Sequence, residues 1–233
     1  MKPSDRIFAA LDTPDLDKAL ELAGLLKGLV GGVKLGKEFF TALGPEGVRE
    51  VAAVGLPVFL DLKFHDIPAT VAGAVRAAVA LQPVMLNVHA AGGESMMRAA
   101  AEAAAEAGEE RPLVLAVTVL TSLWSGDLTA TGIESTASAQ VLRLARLAES
   151  CGLDGVVCSA REATDLRREF GQDFKLVVPG IRPDWAQTDD QKRTQTPAEA
   201  VASGADYLVI GRPITGAADP AEAARRIAEE LGP

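Results

Sequence analysis

The densest run of chemically active side chains is Asp61-Leu62-Lys63-Phe64-His65-Asp66. Residues two apart on a strand project from the same face, so Asp61 and Lys63 are expected side by side, with Leu60 and Leu62 facing the other way. Lys34 lies in a second apolar run, Gly31-Gly32-Val33-Lys34-Leu35-Gly36, and an adjacent strand would bring it beside Asp61. Asp66 follows in the turn. A salt-bridge network that only closes one end of the fold is the plainer reading, and it would suffice for one Asp–Lys pair. Burying Lys34, Asp61, Lys63 and Asp66 together is costly unless the charges serve chemistry. Carboxylate neighbours favour the protonated ammonium, so Lys63 is expected to act as a cation and not as the free amine of a Schiff base.

Other polar residues close apolar runs in the same way. Asp12 follows Ile7-Phe8-Ala9-Ala10-Leu11, and Asn87-Val88-His89 ends a fourth run. Thr121 and Ser122 end a fifth, Pro179-Gly180-Ile181-Arg182 a seventh and Gly211-Arg212 an eighth. The two histidines, His65 and His89, are too few for a His-based metal site, and His89 reads as a structural histidine. Arg143, Arg146, Arg161, Arg167 and Arg168 fall in helix-like segments and are expected on the solvated surface. Trp124 is expected to pack rather than to cover a site.

The elements that must position these groups alternate. Short β-rich apolar runs are expected at 7–11, 33–35, 58–62, 84–88, 113–120, 155–158, 176–178 and 207–210. Amphipathic helix candidates lie near 15–29, 44–54, 67–81, 93–107, 136–150, 161–170, 197–203 and 219–231. Several open on Ser, Thr or Asp followed by Pro, as at Thr196-Pro197 and Asp219-Pro220. Continuous apolar strands alternating with helices imply a parallel sheet covered on both sides. Eight such units favour closure into one α/β domain over 1–233, a single (β/α)8 TIM barrel. A doubly wound open sheet is the alternative, but its Gly-x-Gly-x-x-Gly turn is absent after the first run. Catalytic groups of a barrel sit at the C-terminal strand ends, where the two longest loops, 121–136 and 182–196, also fall.

Bulk properties agree. At 48% hydrophobic but only 4% aromatic, the core must be aliphatic. A formal charge of −9 argues against a nucleic-acid surface, and an anionic ligand would need a local cationic cluster. No apolar run is long enough for a membrane span or a signal segment. Cys151 and Cys158 read as reduced thiols of a cytoplasmic protein.

The ten residues from Asp61 to Thr70, Asp-Leu-Lys-Phe-His-Asp-Ile-Pro-Ala-Thr, resemble the signature of the orotidine 5'-monophosphate decarboxylase family. Ala10-Leu11-Asp12, Val33-Lys34-Leu35-Gly36, Leu120-Thr121-Ser122, Val178-Pro179-Gly180-Ile181-Arg182 and Val209-Ile210-Gly211-Arg212 follow in the family's order. The resemblance implies a (β/α)8 homodimer of pyrimidine nucleotide synthesis that works without metal or organic cofactor, converting orotidine 5'-monophosphate to uridine 5'-monophosphate. It implies Lys63 as proton donor to C6, with Lys34, Asp61 and Asp66 completing a charged tetrad, Asp66 coming from the partner subunit. Asp12 and Lys34 would hold the ribose, with the partner's Thr70 nearby. Thr121 and Ser122 would lie near the pyrimidine, and Pro179 would be a further substrate-binding residue. Gln191, Gly211 and Arg212 would bind the phosphate, with Arg182 close by.

The chemistry fits. Loss of carbon dioxide from C6 leaves a carbanion in the ring plane, which the ring cannot delocalise, so a fixed cation must stabilise it. Two other readings remain open: a magnesium-dependent phosphosugar decarboxylase or synthase, which would need an acidic ligand such as Glu38 near the second strand, and a non-catalytic nucleotide-binding barrel.

Overall fold

The computed structural model of the chain describes residues 1–186 and 195–232. Eight parallel strands close into a barrel in sequence order: β1 (Ile7–Ala10), β2 (Gly32–Gly36), β3 (Val58–Phe64), β4 (Met85–His89), β5 (Leu113–Val117), β6 (Gly155–Val157), β7 (Lys175–Pro179) and β8 (Tyr207–Ile210). All eight expected runs form strands. The fifth stops at Val117, three residues short of the expected end.

The helices are α1 (Leu16–Leu26), α2 (Lys37–Ala53), α3 (Pro68–Val79), α4 (Glu94–Ala105), α5 (Ser125–Ala130), α6 (Ala137–Ser150), α7 (Ala160–Phe170), α8 (Pro197–Ala202), α9 (Arg212–Thr215) and α10 (Pro220–Glu230). Their starts carry the expected chemistry. The Asp15, Thr136, Thr196 and Asp219 side chains accept backbone N–H groups of the first helical turn, and Pro68, Pro197 and Pro220 open helices, where a missing N–H costs nothing. The second helix begins earlier than expected. Its first half, from Lys37, buries Phe39, and the chain then breaks at Gly44 (φ 60°, ψ −162°) before Pro45 restarts it. Helices α5 and α9 lie where only loop was expected.

Pairing registers sort the strand residues onto two faces. Phe8, Phe59, Met85, Leu115 and Val177 form a cluster of their own, at most 3% exposed, with Tyr207 and Val209 packed against it. Phe8 meets Phe59 and Tyr207 edge-to-face at 6.4 and 5.6 Å between ring centroids. These rings plug the barrel interior. Ala9, Leu60, Leu86, Val114, Val156, Leu176 and Leu208 belong instead to the aliphatic cluster shared with the helices.

The N-terminal strand ends are tied by two aspartates. Asp154 accepts Val114 N–H at 2.7 Å and pairs with Arg111. Asp206 accepts Leu176 N–H at 2.8 Å and pairs with Arg167 at 2.6 Å. Arg167 also donates to the carbonyls of Gly171, Phe174 and Gly204. Its side chain is only 13% exposed, which corrects the expectation of a solvated surface arginine; Arg143, Arg146, Arg161 and Arg168 are exposed as expected. The planar guanidinium, with five donors, ties α7 to the chain just before β7 and just before β8. Arg167→Ala strands the Asp206 carboxylate and three carbonyls. It should lower unfolding free energy by about 3 kcal/mol in urea titrations, as expected for a desolvated pair that loses one member; a change below about 0.5 kcal/mol would mark the clamp as ordinary surface.

Candidate active site

The charged side chains gather at the C-terminal strand ends. Lys34, in the middle of β2, is 6% exposed, and its Nζ lies 2.5 Å from Asp12 Oδ1 and 3.8 Å from Asp61 Oδ2. Asp61, on β3, accepts Lys63 Nζ at 2.5 Å through its other oxygen. Asp12, Lys34, Asp61 and Lys63 therefore form a chain of alternating sign across β1, β2 and β3. Gly36 makes room for it, because a Cβ there would lie 2.9 Å from both Asp12 Oδ1 and Lys34 Nζ. Two of the four charges, Lys34 and Asp61, have side chains no more than 15% exposed. Partial removal from water strengthens the coupling between them.

Asp61 and Lys63 open onto a cavity of about 190 Å³, walled by Phe59, Val117, Thr121, Val157, Pro179 and Val209 among others. Thr121 lines it; Ser122 is exposed and does not. Asp66 and Thr70 are exposed, the first in the turn after β3 and the second in the first turn of α3. The Asp66 carboxylate accepts the N–H of Ile67 at 2.7 Å, and among the described residues no ion pair links it to Lys34 or Lys63 within this chain. A second cleft, of about 320 Å³, is lined by Arg182, Trp185, Arg212 and Pro213 beyond β7 and β8, with Gly211 heading α9. It brings the two arginines Arg182 and Arg212 to one cleft. The Arg182 N–H donates to the Gln195 carbonyl at 3.0 Å, closing the stem of the loop after β7. Gln191 lies outside the described residues. Trp185 donates to Glu230 at 2.6 Å and lies under the Arg226 guanidinium, fastening the same stem to α10. Trp124, expected to pack, is instead 49% exposed at the start of α5.

Asn87, in the sequence only one of the polar residues that close a strand, has a definite role here. It is fully buried and bonds both Asp61 and the Lys63 backbone. A lone carboxamide inside an otherwise apolar strand was the available signal, since buried polar groups need partners. His89 behaves as the expected structural histidine. Its ring stacks on His65 at 5.5 Å between centroids and accepts Ala91 N–H at 3.4 Å. Cys158 is buried, and burial pushes its thiol far up, so it stays protonated and is no nucleophile. Among the described residues no three His, Cys, Asp or Glu side chains converge as a metal site, and Glu38 is exposed in the first turn of α2.

Fold and site together define a (β/α)8 barrel whose C-terminal strand ends carry paired lysine and aspartate side chains. Comparison with known proteins narrows this. Residues 5–227 match the orotidine 5'-phosphate decarboxylase / HUMPS family, and the chain belongs to that family. The orotidine 5'-phosphate decarboxylase of Rhodospirillum rubrum is 59% identical over 230 residues, covering 97% of this chain and 93% of that one. The protein of the same name from Paramagnetospirillum magneticum is 54% identical over 230 residues, covering 97% and 98%. A crystal structure of orotidine 5'-phosphate decarboxylase from Lactobacillus acidophilus superposes with a TM-score of 0.87 at 35% identity, covering 97% of this chain and 99% of the other.

Burial lowers the His89 pKa from its usual 6.5, with the positive charge of His65, Lys37 and Lys63 adding to the effect. The folded protein therefore resists protonating His89 more than the unfolded chain does. On lowering the pH from about 7 to about 5, the unfolded state takes up the proton first and His89 makes the fold less stable. Replacing His89 with Asn should flatten the stability–pH slope in that window relative to wild type; an unchanged slope in urea titrations would assign it to other groups.

Proposed function

We propose that this protein decarboxylates orotidine 5'-monophosphate to uridine 5'-monophosphate in de novo pyrimidine synthesis. It would act in the cytoplasm as one (β/α)8-barrel catalytic domain over residues 1–233, without metal or organic cofactor. The observation that carries the reading is the Lys63 ammonium on the cavity wall, 2.5 Å from Asp61, with Lys34 on the far side of the same carboxylate.

The C6–carboxylate bond breaks and its electron pair stays on C6 as carbon dioxide leaves. Lys63 meets that charge as a cation already in place, so no solvent has to reorganise. A proton then passes from Lys63 Nζ to C6, giving uridine 5'-monophosphate and a neutral amine that must be recharged from water. Asp61 pairs with the Lys63 ammonium and aims it. Asp12 and Lys34, whose side chains already pair, would bind the ribose hydroxyls. Thr121 and Pro179 would bound the pyrimidine, with Ser122 next to it. Arg182, Gln191, Gly211 and Arg212 would take the phosphate, whose remote binding energy helps assemble the site. The exposure of Asp66 and Thr70 supports a homodimer in which each completes the site of the partner subunit.

Loss of orotidine 5'-monophosphate absorbance should proceed at full rate in excess chelator. Dependence on a divalent ion would favour the phosphosugar reading, and tight nucleotide binding without carbon dioxide release the non-catalytic one. Lys63→Ala should lower kcat roughly 10,000-fold while binding largely remains; near-normal turnover removes the proton-donor role. Arg212→Ala should raise KM roughly 10- to 100-fold, the worth of a charged hydrogen bond to phosphate. If Asp66 crosses the dimer, inactive Lys63→Ala and Asp66→Ala chains should recover activity when mixed, since a mixed dimer holds one intact site; no recovery after proven subunit exchange would count against a shared site.

A further inference from the structure

We infer that Asn87 is a positioning residue for this site: its carboxamide replaces the missing sheet partner of Lys63 and locks Asp61 and Lys63 together. The inference rests on the proposed decarboxylation for its kinetic consequence, and on geometry alone for its structural one.

Strands β3 and β4 pair Phe59 with Met85 and Leu60 with Leu86, and resume only at Phe64 with Val88. Between those points β3 advances four residues and β4 two, so Asp61, Leu62 and Lys63 lie in a bulge. Lys63 turns into the left-handed region, with φ 53°. Few residues with a Cβ adopt that backbone, and they do so only where the surroundings over-determine it. A bulge also takes backbone groups out of the ladder, and a partly buried N–H needs another acceptor.

Asn87 provides it. Its Oδ1 accepts the Lys63 N–H at 2.7 Å, and its Nδ2 donates to Asp61 Oδ1 at 2.7 Å. The same Asp61 oxygen accepts Lys63 Nζ. The carboxamide, the Asp61 carboxylate and the Lys63 side chain and backbone thus close a ring. Only one amide orientation fits, because the flipped one would set donor against donor and acceptor against acceptor. Asn87 is fully buried, so water cannot stand in for either bond. As a neutral donor it holds Asp61 without neutralising it, leaving the carboxylate its full charge to hold Lys63 as an ammonium. Asn87 acts through those two residues.

Two variants test this. Asn87→Leu is close in shape but removes both bonds; kcat should fall about 100-fold, as for a reacting group displaced by an ångström, with KM within about threefold of wild type and the circular dichroism spectrum kept. Asn87→Asp keeps the acceptor for Lys63 N–H but sets a second carboxylate against Asp61. When protonated, it restores the donor. Its turnover should rise as pH falls through a one-proton transition that the wild type lacks. Crystal structures give an outcome independent of turnover: Lys63 should leave positive φ in Asn87→Leu and keep it in Asn87→Asp. Asn87→Leu with kcat within about threefold of wild type, or Asn87→Asp with the wild-type pH profile, overturns the positioning role. Lys63 unmoved in the Asn87→Leu crystal overturns it too, even if the wild type fails to release carbon dioxide and the proposed reaction itself falls.

Discussion

The contact on which the site depends is a single carboxylate shared by two ammoniums. Asp61 turns one oxygen to Lys63 and the other toward Lys34, which itself rests on Asp12. Each charge has an opposite neighbour, so none is left unpaired in a partly dry barrel mouth. That is the arrangement least costly to desolvate. The alternation sums to zero before any ligand arrives. In the proposed reaction, a substrate with anionic groups at both ends would meet separate cations: Lys63 at the reacting carbon, and the Arg182 and Arg212 cleft beyond β7 and β8.

The fold separates what holds the barrel from what works in it. Asp154 and Asp206 are spent at the N-terminal strand ends, on backbone N–H groups and arginines. The C-terminal ends carry the groups assigned to chemistry. The division is general for barrels of this kind, and here it is visible in the partners that the aspartates choose. Asp61 meets the side chains of Lys63, Lys34 and Asn87, whereas Asp154 and Asp206 each add a backbone N–H to their arginine. The break in the strand ladder also falls on the working side, at the bulge in β3, where Lys63 takes a positive φ.

Much of this was legible in the chain. The eight apolar runs and their order follow from hydrophobic period and from Ser, Thr or Asp followed by Pro at helix starts, which are local features. The pairing of Lys34 with Asp61 follows from adjacency of parallel strands. What could not be read is non-local. Asp61 and Lys63 do share a face, but by way of a bulge that a two-residue period does not contain, so the need for Asn87 to replace the lost ladder bond stayed hidden. Gly44-Pro45 reads as a helix start because Gly breaks and Pro opens helices. It is in fact a kink between two helical pieces, the first held by burial of Phe39. Arg167 looks like its exposed neighbours on α7 because nothing in its own segment announces Asp206, 39 residues on.

The aromatic plug has a kinetic meaning. Phe8, Phe59 and Tyr207, with Met85 and Leu115, seal the interior beneath Lys63, and the seal is almost free of polar groups. Among the described residues, no chain of hydrogen-bonded side chains runs through this floor to relay hydrogen ions from the far end of the barrel. In the proposed reaction, an amine that has given up its proton would be replenished from the same opening through which the nucleotide leaves, so readiness for the next cycle would be contingent on letting the last product go.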